Sequence, residues 1–288
     1  MSFARRTIAS RNSSARLATP ICRTLGISRA CAYRESAGRP ARYACADDRV
    51  VTAQIRAVIR TRASYGARRV RALVNREFGT HYNLKRIRRV MELSGWKLPR
   101  ANRRRTGRAH QGRIQRPASN ERWCSDALEI ACWNGEIVQI GFALDCHDRE
   151  AVAHVAAARD LLATDIQRLM QCAVAARFGE VAPHPIQWLS DNGSIYTALD
   201  TVITAERLHL VPITTPKASP ESKGMSEAFV NTIRRDYQAG ADLSTAAVVL
   251  AQVPAWIADY NAVAPHSALR YQSPQQYRRT QLVAGPVS

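Results

Sequence analysis

Residues 121–148, ERWCSDALEIACWNGEIVQIGFALDCHD, carry the pattern that decides the fold. Two segments rich in alternating apolar and aromatic residues, ERWCSDALEIACW and EIVQIGFALDCHD, flank the pair Asn134-Gly135. Asn-Gly favours a tight turn between antiparallel strands, so this stretch is predicted to be a β-hairpin. A third strand is expected at about residues 151–155.

After the hairpin, helical and strand patterns alternate. Ile166, Leu169 and Met170 predict a helix over residues 164–178, and the apolar run Pro185–Leu189 predicts a strand that ends at Asp191. The remaining elements are expected to be a short helix at 201–208, a strand at 210–213, a helix at 222–237 and a helix at 244–261 that bends at Pro254. The predicted fold class is therefore α/β, a mixed five-stranded sheet with helices on both faces.

Positive charge is concentrated in the first part of the chain. The whole chain has a formal net charge of +19, but residues 1–118 alone contain 29 Lys and Arg against 5 Asp and Glu. Since 38 of the 42 basic residues are arginines, the surface suits bidentate phosphate and guanine contacts. Genomic base composition is an alternative reason for this arginine preference. The charge distribution predicts a nucleic-acid partner for the first part of the chain.

Two helical DNA-binding regions are predicted in this basic part. Over residues 17–34, two short helical stretches separated by Gly26 have the size of a helix-turn-helix, with an ordinary helical hairpin as the alternative. This assigns residues 1–45 to a first region and residues 46–98 to a second, whose recognition helix would be 84–93 after a cap at Asn83. Its proposed DNA contacts are Arg68, Arg69, Lys85, Arg86, Arg88 and Arg89, and a solvated basic face is the alternative.

Residues 99–119 have almost no apolar side chains and no periodicity. They are predicted to be a basic linker in which Arg103, Arg104 and Arg105 contact DNA. Residues 120–280 would then form the third structural region.

The seven cysteines are odd in number and lack CxxC pairs, which favours neither a disulfide framework nor a zinc site and fits the cytoplasm. No apolar stretch approaches the ~20 residues needed to cross a bilayer, so no membrane partner is expected. A transit peptide is a minor alternative for the Arg- and Ser-rich start.

Three carboxylates are placed where the predicted sheet could gather them. Asp126 lies in the first strand, Asp191 ends the fourth, and Glu227 lies on the helix that begins near Ser222, with 35 residues between the last two acids. The SDNG turn alone could explain Asp191 as a turn residue. If the first and fourth strands are neighbours, however, both aspartates would point off the sheet near its centre, and the helix could lay Glu227 against them. Clustered carboxylates need cations, and two Mg²⁺ or Mn²⁺ ions would suit phosphoryl transfer.

The segments around these acids resemble a known family. RWCSDALE, WLSDNGS and SPESKGMSEAFVNTIRRDY are similar to the D,D(35)E catalytic core of bacterial insertion-sequence transposases, which are relatives of retroviral integrases. The resemblance is strongest for OrfB proteins of elements that make an OrfA-OrfB fusion by frameshifting. It extends to SYGARRVRALV, LKRIRRVMELSGW and YNAVAPHSALRYQSPQQY, and so covers nearly the whole chain.

The resemblance implies an RNase H-like fold over residues 120–280 and a transposase that cuts element ends and transfers the 3′ hydroxyl. Asp126, Asp191 and Glu227 would be the catalytic metal ligands, and Arg234, seven positions after the glutamate, would hold a DNA phosphate. The implied partners are the terminal inverted repeats, target DNA, the OrfA product or fusion, and further copies of the chain. Three positions depart from the usual family residues: Arg234 for Lys, Lys223 for Asn, and Ala264 for Arg.

Other candidate residues are expected to be structural. Asp145 and Asp148 would form strand-end salt bridges with Arg149, and Glu221 would start a helix. His266 would pack in the C-terminal turn rather than act in catalysis, and Trp123, Trp133 and Trp188 would lie in the core. Two alternative functions are a DNA-binding regulator with a non-catalytic integrase-like core and a structure-specific nuclease that cuts without joining.

Overall fold

The computed structural model of the 288-residue chain describes residues 22–24, 47–99, 116–214 and 220–284, with the backbone alone at 220–223 and 284. The chain divides into two compact units, Met1–Ala46 and Asp47–Ser288. Most of the predicted N-terminal helix-turn-helix lies outside the described residues, as does the linker segment that contains Arg103, Arg104 and Arg105. The second unit is the one described below.

Three helices open the second unit: α1 (Asp48–Thr61), α2 (Ala67–Glu77) and α3 (Leu84–Leu93). Their apolar positions recur at helical spacing, so each helix buries one face in a shared core. Asn83 caps α3 as predicted, because its side chain accepts a hydrogen bond of 2.8 Å from the backbone N–H of Arg86. The core of this helical region is formed by Val51, Ile55, Val58, Tyr65, Val70, Leu73, Val74, Ile87, Val90 and Met91.

A five-stranded mixed sheet follows, and this confirms the predicted fold class. Its strands are β1 (Arg122–Ala131), β2 (Ile137–Asp145), β3 (Ala151–Ala157), β4 (Ile186–Ser190) and β5 (Leu210–Thr214). The order across the sheet is β3-β2-β1-β4-β5, with β1, β2 and β3 antiparallel and β4 parallel to both β1 and β5. The first and fourth strands, β1 and β4, are therefore neighbours. This is the condition under which the sequence predicts that Asp126 and Asp191 lie close together.

Helices cover both faces of the sheet. One face carries α4 (Ala163–Phe178), α5 (Ser194–Thr197) and α6 (Leu199–Arg207) around Trp123 and Trp188. The other carries α7 (Pro220–Asp236) and α8 (Ala246–Ala262) around Phe142 and Trp256. Helix α9 (Pro274–Ala284) closes the chain against α8. Alternate strand residues point to opposite sides of the sheet, and apolar residues occupy both sets of positions. Both faces of the sheet are therefore apolar.

Two expectations were wrong: that no apolar stretch approaches ~20 residues, and that Trp133 lies in the core. Residues Ala246–Leu269 form a stretch of 24 that is long and apolar enough, by length and composition alone, to cross a membrane. The helix in this stretch, α8, contributes Val249, Val253 and Ile257 to the core beside the sheet, so the stretch is weak evidence for a membrane span. Trp123 and Trp188 are buried as predicted, but Trp133 lies at the β-hairpin end with 71% of its surface exposed.

Candidate active site

Asp126 lies in the middle of β1, and Asp191 directly follows the end of the adjacent parallel strand β4. The β1–β4 pairing ends at Cys124 opposite Leu189, and both side chains belong to the core on the α7 face. Two residues further along each strand direction come Asp126 and Asp191. Because strand side chains alternate between faces, the register assigns both aspartates to the α7 side. Asp126 is half-buried and Asp191 is exposed, so both are open to solvent.

The turn after β4 contacts the Asp191 carboxylate directly. The backbone N–H of Gly193 donates to Asp191 Oδ1 over 3.0 Å. A Cβ atom at position 193 would lie 3.0 Å from the same oxygen, so glycine permits this close approach. Asp191 therefore takes part in a turn, as its SDNG context suggested, directly after β4, the strand that pairs with β1.

Helix α7 presents Glu227 beside β1. Phe229 and Ile233 bury one side of the helix in the sheet core, and Ser226 is buried next to Cys124 of β1. Hydrogen bonds from Cys146 and Ser226 lower the pKa of the Cys124 thiol. The opposite side of the helix is exposed and carries Glu227, Asn231 and Arg234 at positions i, i+4 and i+7. Glu227 and Arg234 consequently share one solvent-facing stripe.

The described side chains do not gather into a cluster of three metal-binding groups. Within residues 47–99, 116–214 and 224–283, no group of three or more His, Cys, Asp or Glu side chains could hold a metal ion. The two aspartates both influence one buried group, Tyr196 on α5. Burial raises the pKa of Tyr196, a hydrogen bond with Ser125 opposes this shift, and the negative charges of Asp126 and Asp191 raise the pKa further.

Asp145, the last residue of β2, and Asp148, in the turn after it, form a structural network, as expected. Asp145 is fully buried and accepts hydrogen bonds from the backbone of Asn120 and the indole of Trp123. Burial and the neighbouring Asp148 raise the pKa of Asp145 to about 6. The cation paired with Asp148 is Arg177, at 3.4 Å, where the sequence had suggested Arg149. Glu221 and Lys223 lie in the first turn of α7, for which the backbone alone is described.

The basic residues proposed to contact DNA fall into two groups. Arg69 is paired with Asp236 at 2.8 Å, and Arg86 and Arg89 are paired with Asp48 at 3.1 and 2.6 Å. In contrast, Arg68, Lys85 and Arg88 are exposed. Sequence reasoning missed the acidic partners of the first group. The one local signal was an aspartate at the end of each of two helices, Asp48 at the start of α1 and Asp236 at the end of α7.

Comparisons with known proteins agree with this architecture. Families described as "Integrase core domain" match residues 116–220 and 211–274, and a family described as "HTH-like domain" matches residues 46–105. A solved structure of the simian T-cell lymphotropic virus intasome in complex with PP2A regulatory subunit B56 gamma shares the fold, with a TM-score of 0.50 and 12% identity. That alignment covers 82% of this chain and 79% of the other. The chain is thus an integrase-core protein with a helical, HTH-like region before the core.

Curated relatives narrow this class. The transposase InsD for insertion element IS2A/D/F/H/I/K of Escherichia coli is 41% identical over 257 residues, which are 86% of this chain and 84% of the relative. The insertion element IS136 uncharacterized protein of Agrobacterium tumefaciens (strain T37) is 48% identical over 181 residues, 62% of this chain and 93% of the relative. The chain belongs to the family of insertion-element transposases with an integrase catalytic core.

Proposed function

We propose that this chain is a transposase subunit that cuts one DNA strand at each end of its insertion element and joins the freed 3′ hydroxyl to target DNA. The observation that supports the proposal is the parallel pairing of β1 with β4, which ends two residues before Asp126 and two residues before Asp191, in a chain that matches an integrase core. Joining would be a transesterification: the 3′ oxygen bonds to a target phosphorus while the bond to the adjacent strand oxygen breaks. This exchange conserves the number of phosphodiester bonds, so it needs no ATP.

The carboxylates of Asp126 and Asp191 suit hard divalent cations. Carboxylate oxygens are the ligands that Mg²⁺ and Mn²⁺ prefer, and Asp126 and Asp191 offer them side by side. We assign Asp126, Asp191 and Glu227 to two such ions, with Glu227 supplied from the exposed stripe of α7. When bound, a pair of these ions stabilises negative charge on the attacking and leaving oxygens of a phosphodiester.

Arg234 would bind a DNA phosphate close to the reacting strand. It is exposed and lies two helical turns from Glu227 on the same stripe, so a strand that reaches Glu227 passes the guanidinium. A guanidinium donates a planar pair of hydrogen bonds to phosphate, whereas the lysine usual in the family acts as a point charge. The planar shape of the Arg234 guanidinium therefore favours a bidentate contact with a DNA phosphate.

The DNA partners would be the terminal inverted repeats and the target duplex. Exposed basic side chains of the helical region, Arg68, Lys85 and Arg88, are available for phosphate contacts with steep salt dependence. We further propose that the chain works on bacterial DNA in the cytoplasm as a homo-oligomer, together with the OrfA product or as an OrfA-OrfB fusion.

The test is a cutting and joining assay with labelled element-end DNA. The purified chain, alone and fused to its upstream frame, is incubated with Mg²⁺ or Mn²⁺ beside Asp191→Asn. We expect metal-dependent cutting and joining that is stronger in the fusion, and that falls below about 1% of wild type in the variant, because a charged metal ligand is lost. Asp200→Asn, an exposed aspartate on α6, is the matched control and should retain activity.

Two results would overturn the proposal. Binding of the DNA without any chemistry from either wild-type form would favour the DNA-binding regulator. Cutting without joined products would favour the structure-specific nuclease.

A further inference from the structure

A short series of hydrogen bonds connects the segment that holds Asp191 to the segment that holds Asp126. Gly193 N–H donates to Asp191 Oδ1 at 3.0 Å, and Tyr196 N–H donates to the Gly193 carbonyl at 3.0 Å. The Tyr196 hydroxyl then shares a hydrogen bond of 3.1 Å with the Ser125 hydroxyl, and Ser125 is the residue before Asp126. The two aspartates are therefore linked through one side-chain contact.

This contact occurs where the strand pairing has ended. The β1–β4 register stops at Cys124 and Leu189, so backbone pairing does not extend to the two aspartates. The hydrogen bond between Ser125 and Tyr196 joins β1 to the segment after β4 beyond that point. It lies on the sheet face opposite the carboxylates, because Tyr196 packs in the core with Trp123 and Trp188.

Both hydroxyl groups are buried, with 4% of Ser125 and 7% of Tyr196 exposed. A buried hydroxyl without a partner is costly, so each one holds the other in place. The hydrogen bond therefore joins two buried groups, whichever hydroxyl donates.

We propose that Tyr196 and Ser125 are positioning residues whose hydrogen bond sets the separation of the Asp126 and Asp191 carboxylates, and with it the affinity for divalent metal. This inference rests on the proposed function, since it concerns the metal site assigned above. Groups that orient metal ligands from behind commonly change metal affinity when they are removed. Tyr196 itself would not touch the metal or the DNA.

The experiment measures Mn²⁺ binding to the purified full chain without DNA, by electron paramagnetic resonance of free Mn²⁺. The site is defined as the binding that Asp191→Asn removes. We expect Tyr196→Phe, which keeps the ring and loses the hydroxyl, to weaken that binding by about 10- to 100-fold. Ser125→Ala should weaken it similarly, and Ser125→Thr, which restores a hydroxyl, should recover most of the affinity.

Tyr260→Phe is the matched control. Tyr260 is also buried, and its hydroxyl donates one hydrogen bond, to the Arg149 carbonyl at 3.1 Å. Its loss should reduce the thermal unfolding temperature about as much as Tyr196→Phe while leaving Mn²⁺ affinity unchanged. A general loss of core stability would instead move Mn²⁺ affinity equally in both variants.

The outcomes separate the two proposals. Wild-type binding that Asp191→Asn does not reduce would remove the metal site, and the proposed function with it. Wild-type Mn²⁺ affinity in Tyr196→Phe and Ser125→Ala, with the site present, would overturn the positioning role alone. If Tyr196→Phe does not fold, the Ser125→Ala and Ser125→Thr pair decides the question by the same comparison.

Discussion

His266 shows how burial determines the chemistry of a single residue. Its ring packs edge-on against Tyr260 at 4.8 Å between centroids, which confirms the packing role expected from sequence. Its Nε2 atom is buried without a hydrogen-bond partner in the described part of the chain. Burial lowers the pKa of His266 to about 4, and the positive charges of Arg69 and Arg149 act in the same direction. The imidazole is therefore neutral in the folded protein at pH 7.

We predict that His266 makes the protein less stable as the pH falls from about 6.5 to about 4. In this range the unfolded chain binds a proton that the folded chain excludes, so acid favours unfolding. One such proton contributes at most about 1.4 kcal/mol per pH unit to the free energy of unfolding. Urea unfolding gives the free energy of unfolding at each pH between 4 and 7. This free energy should change less steeply with pH in His266→Phe than in wild type.

The control for this measurement is His184→Gln, because His184 is exposed. Its slope should match that of wild type. Equal slopes for wild type and His266→Phe would show that His266 is not the group responsible.

At the scale of elements, helix α3 has three differently used sides. Ile87, Val90 and Met91 are buried, which the apolar spacing predicted. Arg86 and Arg89 bind Asp48 at the start of α1, whereas Lys85 and Arg88 are exposed. The basic pattern alone could not separate these arginines, because their acidic partner lies about 40 residues earlier in the chain.

Distance along the chain also explains which other features were predictable: local patterns were, and contacts between distant residues were not. Strand alternation and the Asn134-Gly135 turn sufficed for the hairpin, since both depend on neighbouring residues. The exposure of Trp133 depends on where the sheet core ends, and the Ser125–Tyr196 hydrogen bond joins residues 71 apart. Asp126 and Asp191 were predictable because their segments resemble a family, while their register follows from the observed β1–β4 pairing.

We predict different defects for the two kinds of basic residue on α3. Lys85→Ala and Arg88→Ala should each weaken DNA binding and reduce the salt-dependence slope by about one, as expected for a lost phosphate contact. Arg89→Ala should lower the free energy of unfolding by about 1–3 kcal/mol, because it takes a hydrogen-bonded cation from Asp48. Fluorescence anisotropy over a salt series and urea unfolding measure the two effects. A salt slope changed by Arg89→Ala alone would reverse the assignment.

At the scale of the whole second unit, the helical region is fastened to the catalytic core. Asp236, at the end of α7, has a fully buried side chain and accepts hydrogen bonds from Ser64 at 2.5 Å and Arg69 at 2.8 Å. Burial alone would raise the pKa of Asp236, but hydrogen bonds from Arg235 and Ser64 hold it below its usual value. The carboxylate therefore stays charged within the contact.

A second contact lies beside the first. Asp259 of α8 pairs with Arg62 and accepts a hydrogen bond from the Tyr237 hydroxyl at 2.7 Å. Arg76 of α2 donates to the Val263 carbonyl at 2.7 Å. These contacts join residues 47–99 to the core within the second unit. The helix that carries Glu227 and Arg234 thus ends in Asp236, the residue that contacts the helical region.

We predict that the double substitution Ser64→Ala with Arg69→Ala loosens the helical region selectively. Removing both partners leaves the buried Asp236 with the neighbouring Arg235 as its hydrogen-bonded cation, which should cost about 3 kcal/mol in the free energy of unfolding. In native-state hydrogen exchange, the amides of α1 and α2 should exchange faster while those of β1 and β2 stay protected, because the sheet core does not depend on this contact. Arg68→Ala, an exposed neighbour on α2, is the control and should leave both sets unchanged. Equal acceleration in helices and sheet would mean that the two parts unfold as one, and that the contact at Asp236 is not what joins them.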